Sequence, residues 1–197
     1  NNTRVSEVLA LTLPPLPDLV VSDIAAPADA LSGTALPISW TLRNQGTGEA
    51  SGTWTDYVSL STDQAVGNDQ LFGAFSFEGS IPAGQSVTRT QTITLPINLT
   101  GTRYVVVQTD VSNQIFEHAN ESNNVRVDDQ AIAIALSPVP NLRVTSVTPP
   151  TEAFSSQQTV VEWVVTNTGT GATSAPFWYD AVYLSLDPVL DQSNTLL

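Results

Sequence analysis

Few side chains in this chain could move a proton or attack a carbonyl. Its 197 residues include no Cys and a single His, His118, in the stretch Glu117-His118-Ala119-Asn120. Nucleophilic triads and dyads need an imidazole beside a hydroxyl or thiol, and zinc needs several His or Cys ligands. A lone His in a polar loop meets neither need and reads as an exposed loop residue. No Gly-rich turn runs from a strand into a helix, so there is no phosphate cradle. Paired carboxylates could serve a glycosidase, but they would also need a cleft to hold the sugar. These residues point away from an enzyme.

Oxygen ligands are plentiful, and they suggest a different chemistry. Ca²⁺ takes six to eight oxygens from carboxylates, Asn side chains and carbonyls. Two loops gather them. The first runs from Asp63 through Asn68 to Asp69, and its acidic character returns at Asp187 and Asp191 with Asn194. The second gathers Asp110, Asn113, Glu117, Asn120 and Glu121. The metal candidates are therefore Asp63, Asn68, Asp69, Asp187 and Asp191, with Asp110, Glu117 and Glu121 as a second set and calcium as the ion. Neither loop has EF-hand spacing, and Asp and Asn also cap turns by bonding their own backbone, the competing reading. Asp56 and Asp180 fall on apolar strand faces, so each should find an internal partner, an Arg such as Arg103 or backbone N–H groups. Trp54, Tyr57 and Tyr179 raise sugar stacking. Alternation puts Trp54 in the core, which leaves Tyr57 exposed and makes a weak platform.

The elements that carry these residues come in repeats. Pro17-Asp18-Leu19-Val20-Val21 returns as Pro140-Asn141-Leu142-Arg143-Val144. Trp40 with Asn44-Gln45-Gly46-Thr47-Gly48 returns as Trp163 with Asn167-Thr168-Gly169-Thr170-Gly171, and Trp54-Thr55-Asp56 as Trp178-Tyr179-Asp180. Asn1-Asn2-Thr3-Arg4-Val5 matches Asn123-Asn124-Val125-Arg126-Val127, near the end of the full repeat. Residues 1–13 thus read as the last strand of a preceding repeat, 17–136 as a complete repeat and 140–197 as the N-terminal half of a following one. Pro-rich joints at 14–17 and 137–140 favour extended, semi-rigid connections.

Six basic residues, all Arg, stand against nineteen acidic ones, for a net charge of −13. Such a surface repels nucleic acid. No apolar run approaches a membrane span, so no membrane insertion is expected in this segment. Without Cys or Lys the fold has neither disulfides nor Lys–Asn isopeptide staples, and packing must hold it.

Within the full repeat, seven runs rich in β-branched and aromatic residues alternate, at about 18–25, 34–44, 53–61, 70–77, 85–95, 102–111 and 123–135. Gly, Pro, Asn and Asp punctuate the gaps, and Asn44 to Gly48 reads as a tight turn needing positive φ. No helical periodicity competes. The expected class is all-β: tandem immunoglobulin- or fibronectin-like sandwiches of about seven strands. Leu36, Ile38, Trp40 and Leu42 should share one buried face, and Trp54, Asp56, Val58 and Leu60 another.

Pro-Asp-Leu-Val-Val at 17–21, Trp40 with the turn at 44–48, and the stretch from Trp54 to Asp63 resemble the CARDB domain, the cell-adhesion-related domain found in bacteria. So do Tyr104 to Asp110, Asn113 to Glu117 and Glu121-Ser122-Asn123-Asn124. The resemblance implies an immunoglobulin-like fold, tandem occurrence in large secreted or cell-surface proteins, and an adhesive or spacer role. The expected function is a structural and adhesive repeat that serves as a stiff spacer or fibre segment. Its partners would be neighbouring repeats of the same polypeptide, and other copies through exposed strand edges. One alternative is a calcium- or glycan-binding accessory module of an extracellular enzyme; another is a filament subunit assembling by β-strand exchange.

Overall fold

A computed structural model describes residues 2–197. The chain divides into two compact units, Asn1–Ser137 and Pro138–Leu197.

In the first unit, alternation of apolar and polar residues produces two sheets with a core between them. One sheet has the order β1-β3-β6, built from β1 (Leu19–Ala25), β3 (Ala35–Asn44) and β6 (Ser86–Thr94). The other has the order β2-β8-β7-β4-β5, from β2 (Asp29–Leu31), β4 (Ala50–Ser61), β5 (Gln70–Ile81), β7 (Gly101–Gln108) and β8 (Val125–Ala135). The all-β sandwich expected from the sequence is what forms. All pairings are antiparallel except β2 with β8, which is parallel.

Leu36, Ile38, Trp40 and Leu42 of β3 face Trp54, Val58 and Leu60 of β4, and all are buried. Val105 and Val107 of β7 and Ile132 and Ile134 of β8 complete the core. Trp40 packs against Phe75 and Trp54 against Phe77, with ring centroids 5.9 and 4.4 Å apart. The outward face of β3 and β6 carries hydroxyl ladders instead, Ser39 with Thr90 and Thr41 with Thr88.

Three details depart from the sequence expectation. Strand β2 is an eighth strand, too short to leave a period-two signature. The β4–β5 hairpin runs on to the pair Ala50 and Ile81, both buried, through Glu78-Gly79-Ser80, whose residue types do not favour strand. Strand β7 stops at Gln108 rather than 111, because Asp110 turns the chain with a φ of 45°. Residues 2–13 pair with no strand of the chain, and Val5, Val8, Leu9 and Leu11 stay exposed; Asn1 lies outside the described residues.

The second unit holds two antiparallel pairs, β9 (Leu142–Thr148) with β10 (Glu162–Asn167) and β11 (Tyr183–Leu184) with β12 (Thr195–Leu196). Among the described residues no helix is long and apolar enough to cross a membrane.

Candidate functional site

Three places gather polar side chains. The first lies inside the sandwich. Asp56 points inward from β4 and is fully buried, so its charge needs donors. Trp40 Nε1 donates to Oδ2 at 2.9 Å and Thr109 Oγ1 to Oδ1 at 2.6 Å. The ion partner is Arg89, not the expected Arg103. Arg89 lies opposite Trp40 in the β3–β6 register and so on the inward face of β6, whereas Arg103 bonds the carbonyl of its neighbour Thr102. The signal for Arg89 was in the sequence: Val87, Arg89, Gln91 and Ile93 alternate with five outward residues, Ser86, Thr88, Thr90, Thr92 and Thr94. Its guanidinium also donates to Phe75 O at 3.3 Å and Ser76 O at 2.7 Å of β5, and stacks 5.2 Å from the Trp40 ring. Arg89 thereby joins the two sheets. In the second unit Trp163 Nε1 donates to Asp180 Oδ2 at 2.9 Å, the bond that Trp40 makes to Asp56.

The second place is where the Pro-rich segment reaches β1. Leu16 O accepts from Thr47 N at 2.9 Å and Gly48 N at 2.8 Å, and Asp18 O accepts from Gln45 N at 2.8 Å. Asn44, fully buried, organises this contact. Its Oδ1 accepts from Asp18 N and Gly46 N, and its Nδ2 donates to Gly48 O and Ile81 O. The glycines here do not supply positive φ, contrary to the sequence expectation. They allow close approach: a Cβ on Gly46 would stand 2.6 Å from Asp18 N, and one on Gly48 2.7 Å from Pro15 C. Within the second unit Asn167 makes the matching bonds to Asn141 N, Gly169 N and Gly171 O, and a Cβ on Gly169 would stand 2.5 Å from Asn141 N.

From the other side, the β7–β8 loop holds the same segment. Asp18 accepts from Asn123 Nδ2 on Oδ1 at 2.9 Å, and from Asn120 Nδ2 at 3.1 Å and Gln45 Nε2 at 3.2 Å on Oδ2. Glu117, buried, accepts from Leu19 N at 2.7 Å, and Glu121 from Glu117 N at 2.8 Å. Burial, with the acidic neighbours Glu121 and Asp18 adding to it, pushes the Glu117 carboxyl up to about 7. Sequence reasoning selected Glu117 and Glu121 but not Asp18 or Asn44, whose roles depend on contacts between distant segments. His118 lies exposed in a short 3₁₀ turn, His118–Asn120, with its ring edge against Phe116.

The third place is the β4–β5 turn, at the opposite end of the sandwich from the β7–β8 loop. Asp63 Oδ1 accepts from Ala65 N at 2.9 Å and Asp69 Oδ2 from Gly67 N at 3.0 Å, while Asn68 takes a φ of 57°. Asp187 repeats the Asp63 pattern by accepting from Val189 N, and Asp191 accepts from the N–H and hydroxyl of Ser193, which hold its carboxyl below the usual range. Asp110 is buried, with its two oxygens on Gln114 N and Ile115 N. Most of these carboxylates therefore act on their own turns. Among the described residues no group of three or more His, Cys, Asp or Glu side chains is placed to hold a metal. Tyr57 is partly exposed and Tyr179 almost fully so, whereas Trp54 is buried.

The chain is similar to known proteins. The CARDB family model matches residues 16–128, more than half the chain, and the chain belongs to that family. It is a cell-adhesion-related, non-catalytic domain family. Among solved structures, the chain is similar to a CARDB domain from Pyrococcus furiosus described in complex with di-metal ions. The identity is 21%, over 64% of this chain and all of that one, with a TM-score of 0.48. A solution structure of that domain matches at 21% identity over 63% of this chain and all of that one, with a TM-score of 0.47. A β-glucosidase from Listeria innocua in complex with isofagomine matches at 17% identity over 60% of this chain and 16% of the enzyme, with a TM-score of 0.40. No curated protein matches the chain.

Proposed function

We propose that the chain is a structural and adhesive module of a large secreted or cell-surface protein, one of several tandem repeats, and that it works as a stiff spacer. The observation that carries this reading is the double clamp on residues 16–18. A flexible linker leaves its backbone groups to water. Here Leu16 O, Asp18 N, Asp18 O and the Asp18 carboxylate are all bonded to the sandwich that follows. Family membership and the repeated Asn167 clamp support the same reading. Its partners would be neighbouring repeats, with other copies reached through exposed strand edges.

Spin labels at Gln64→Cys and Gln157→Cys, in a chain without native Cys, test it. The expected result is a narrow inter-label distance distribution that broadens in Gly169→Ala, where the added Cβ collides with the backbone of Val139 to Asn141. A broad distribution in the otherwise unmodified labelled chain would sink the spacer reading. The accessory-module alternative, with calcium or glycan as ligand, gains support only if the chain retains specific sugars on a glycan array. The filament alternative requires concentration-dependent polymers in sedimentation.

A further inference from the structure

Buried polar atoms in folded proteins nearly always have partners. Around Glu117 several lack them among the described residues. Glu117 is 1% exposed, yet only Oε1 has a donor, and Oε2 has none. Glu121 accepts from Glu117 N through Oε1, and its buried Oε2 is likewise without a partner. Asn124, 3% exposed, has a partner for neither Oδ1 nor Nδ2, although its side chain lies against the Glu117 carboxyl. Asp18 adds a further negative charge nearby, but its oxygens are already held by amides.

We propose that Glu117 Oε2, Glu121 Oε2 and Asn124 Oδ1 form a binding site for one hard divalent cation, calcium by its ligand chemistry. Three species could relieve these atoms. A water molecule would donate to the oxygens but leave two like charges in a poorly solvated place. A proton on Glu117 would remove one charge and satisfy one contact, leaving the remaining oxygen unpaired. A divalent cation meets all three oxygens and both charges at once. The ligands are all oxygen, which suits Ca²⁺ or Mg²⁺ rather than zinc or copper. Three protein oxygens with water completing the shell fit Ca²⁺ better, since it tolerates irregular geometry. The β4–β5 turn is the rival. Asp69 Oδ1 there also lacks a partner, but Asp69 is only half-buried and no second unpaired side chain accompanies it.

The position gives the ion a task. Glu117 holds Leu19 N, and its loop neighbours Asn120 and Asn123 hold Asp18. An ion here would fasten the β7–β8 loop to the incoming segment and stiffen the joint. That consequence rests on the spacer reading, whereas the site itself does not. If no ion binds and the labelled chain is still stiff, the site fails and the spacer stands.

The test is calorimetric titration of Ca²⁺ into chelator-stripped protein, with thermal melts alongside. One saturable site is expected, with a rise in Tm of roughly 5 °C at high occupancy. The response should persist in the double variant Asp63→Asn/Asp69→Asn. Affinity should fall at least tenfold in Glu121→Gln and in Asn124→Ala, two variants in case one does not fold. Absence of both heat and Tm shift in the unmodified chain overturns the site. So does binding that is lost with Asp63 and Asp69 but kept in Glu121→Gln and Asn124→Ala.

Discussion

Asp56 and Glu117 are both buried carboxylates of the same sandwich, and their surroundings differ sharply. Asp56 sits mid-sheet with an indole, a hydroxyl and a guanidinium aimed at its two oxygens. Glu117 sits at one end with a single backbone N–H on one oxygen, only the Asn124 side chain lying against the carboxyl besides, and acidic neighbours. Burial alone therefore does not decide how such a group behaves; the donors that share the burial do. Asp56 is internally neutralised and welds the sheets. Glu117 is left short of positive charge, the condition under which a carboxyl keeps a proton or takes an ion.

The hardest test of this contrast removes the cation from Asp56. Arg89→Met should cost about 3–5 kcal/mol in denaturant unfolding, because it strands a buried charge and releases the bonds to β5. Adding Asp56→Asn to that variant should recover much of the loss. A cost below about 1 kcal/mol for Arg89→Met would show that Asp56 does not depend on its partner.

A second test uses pH. Glu117 holds its proton more tightly folded than unfolded, with a carboxyl at about 7 against an ordinary value of 4.5. Folding takes up a proton between those values, so in chelator stability should fall as pH rises through that window. The loss is on the order of 1–3 kcal/mol for this group. Asp128, also raised by burial, contributes in the same direction, so the informative quantity is the difference between the parent and Glu117→Gln. Equal pH slopes in the two proteins would put Glu117 on the same footing as an exposed carboxylate. The smallest effect is expected at the β4–β5 turn. Asp63→Asn keeps an oxygen for Ala65 N and should change stability by no more than about 0.5 kcal/mol at any pH.

Much of this was legible in the sequence because alternation is a local signal. The inward faces of β3 and β4, the buried Trp residues and the inward Asp56 follow from period two alone. Arg89 was legible too, had the same count been applied to β6, since it occupies an inward position opposite Trp40. The clamp was not. Asn44-Gln45-Gly46-Thr47-Gly48 has the composition of a positive-φ turn, and only the backbone of Leu16 to Asp18 packed against it shows that its glycines make room. The same holds for the acidic residues. Asp110 and Glu117 are alike in sequence, but the first closes its own loop and the second reaches across to β1. Which oxygens stay unpaired is a property of the assembled ends, and no spacing rule contains it.

The parallel pairing of β2 with β8 has a mechanical consequence. The incoming segment reaches β2 by way of β1, and the chain leaves by the end of β8, with Asp29 opposite Ala133 and Leu31 opposite Ala135. Tension along the polypeptide pulls the start of one strand against the end of the other. The load therefore falls in shear across the whole patch, including Ala133 N to Ala28 O, Ser32 N to Ala135 O and Ser137 N to Ser32 Oγ. An antiparallel pair pulled from one end opens bond by bond, whereas here the bonds must fail together. Three residues too short to register in the sequence thus carry part of the load when the module is stretched.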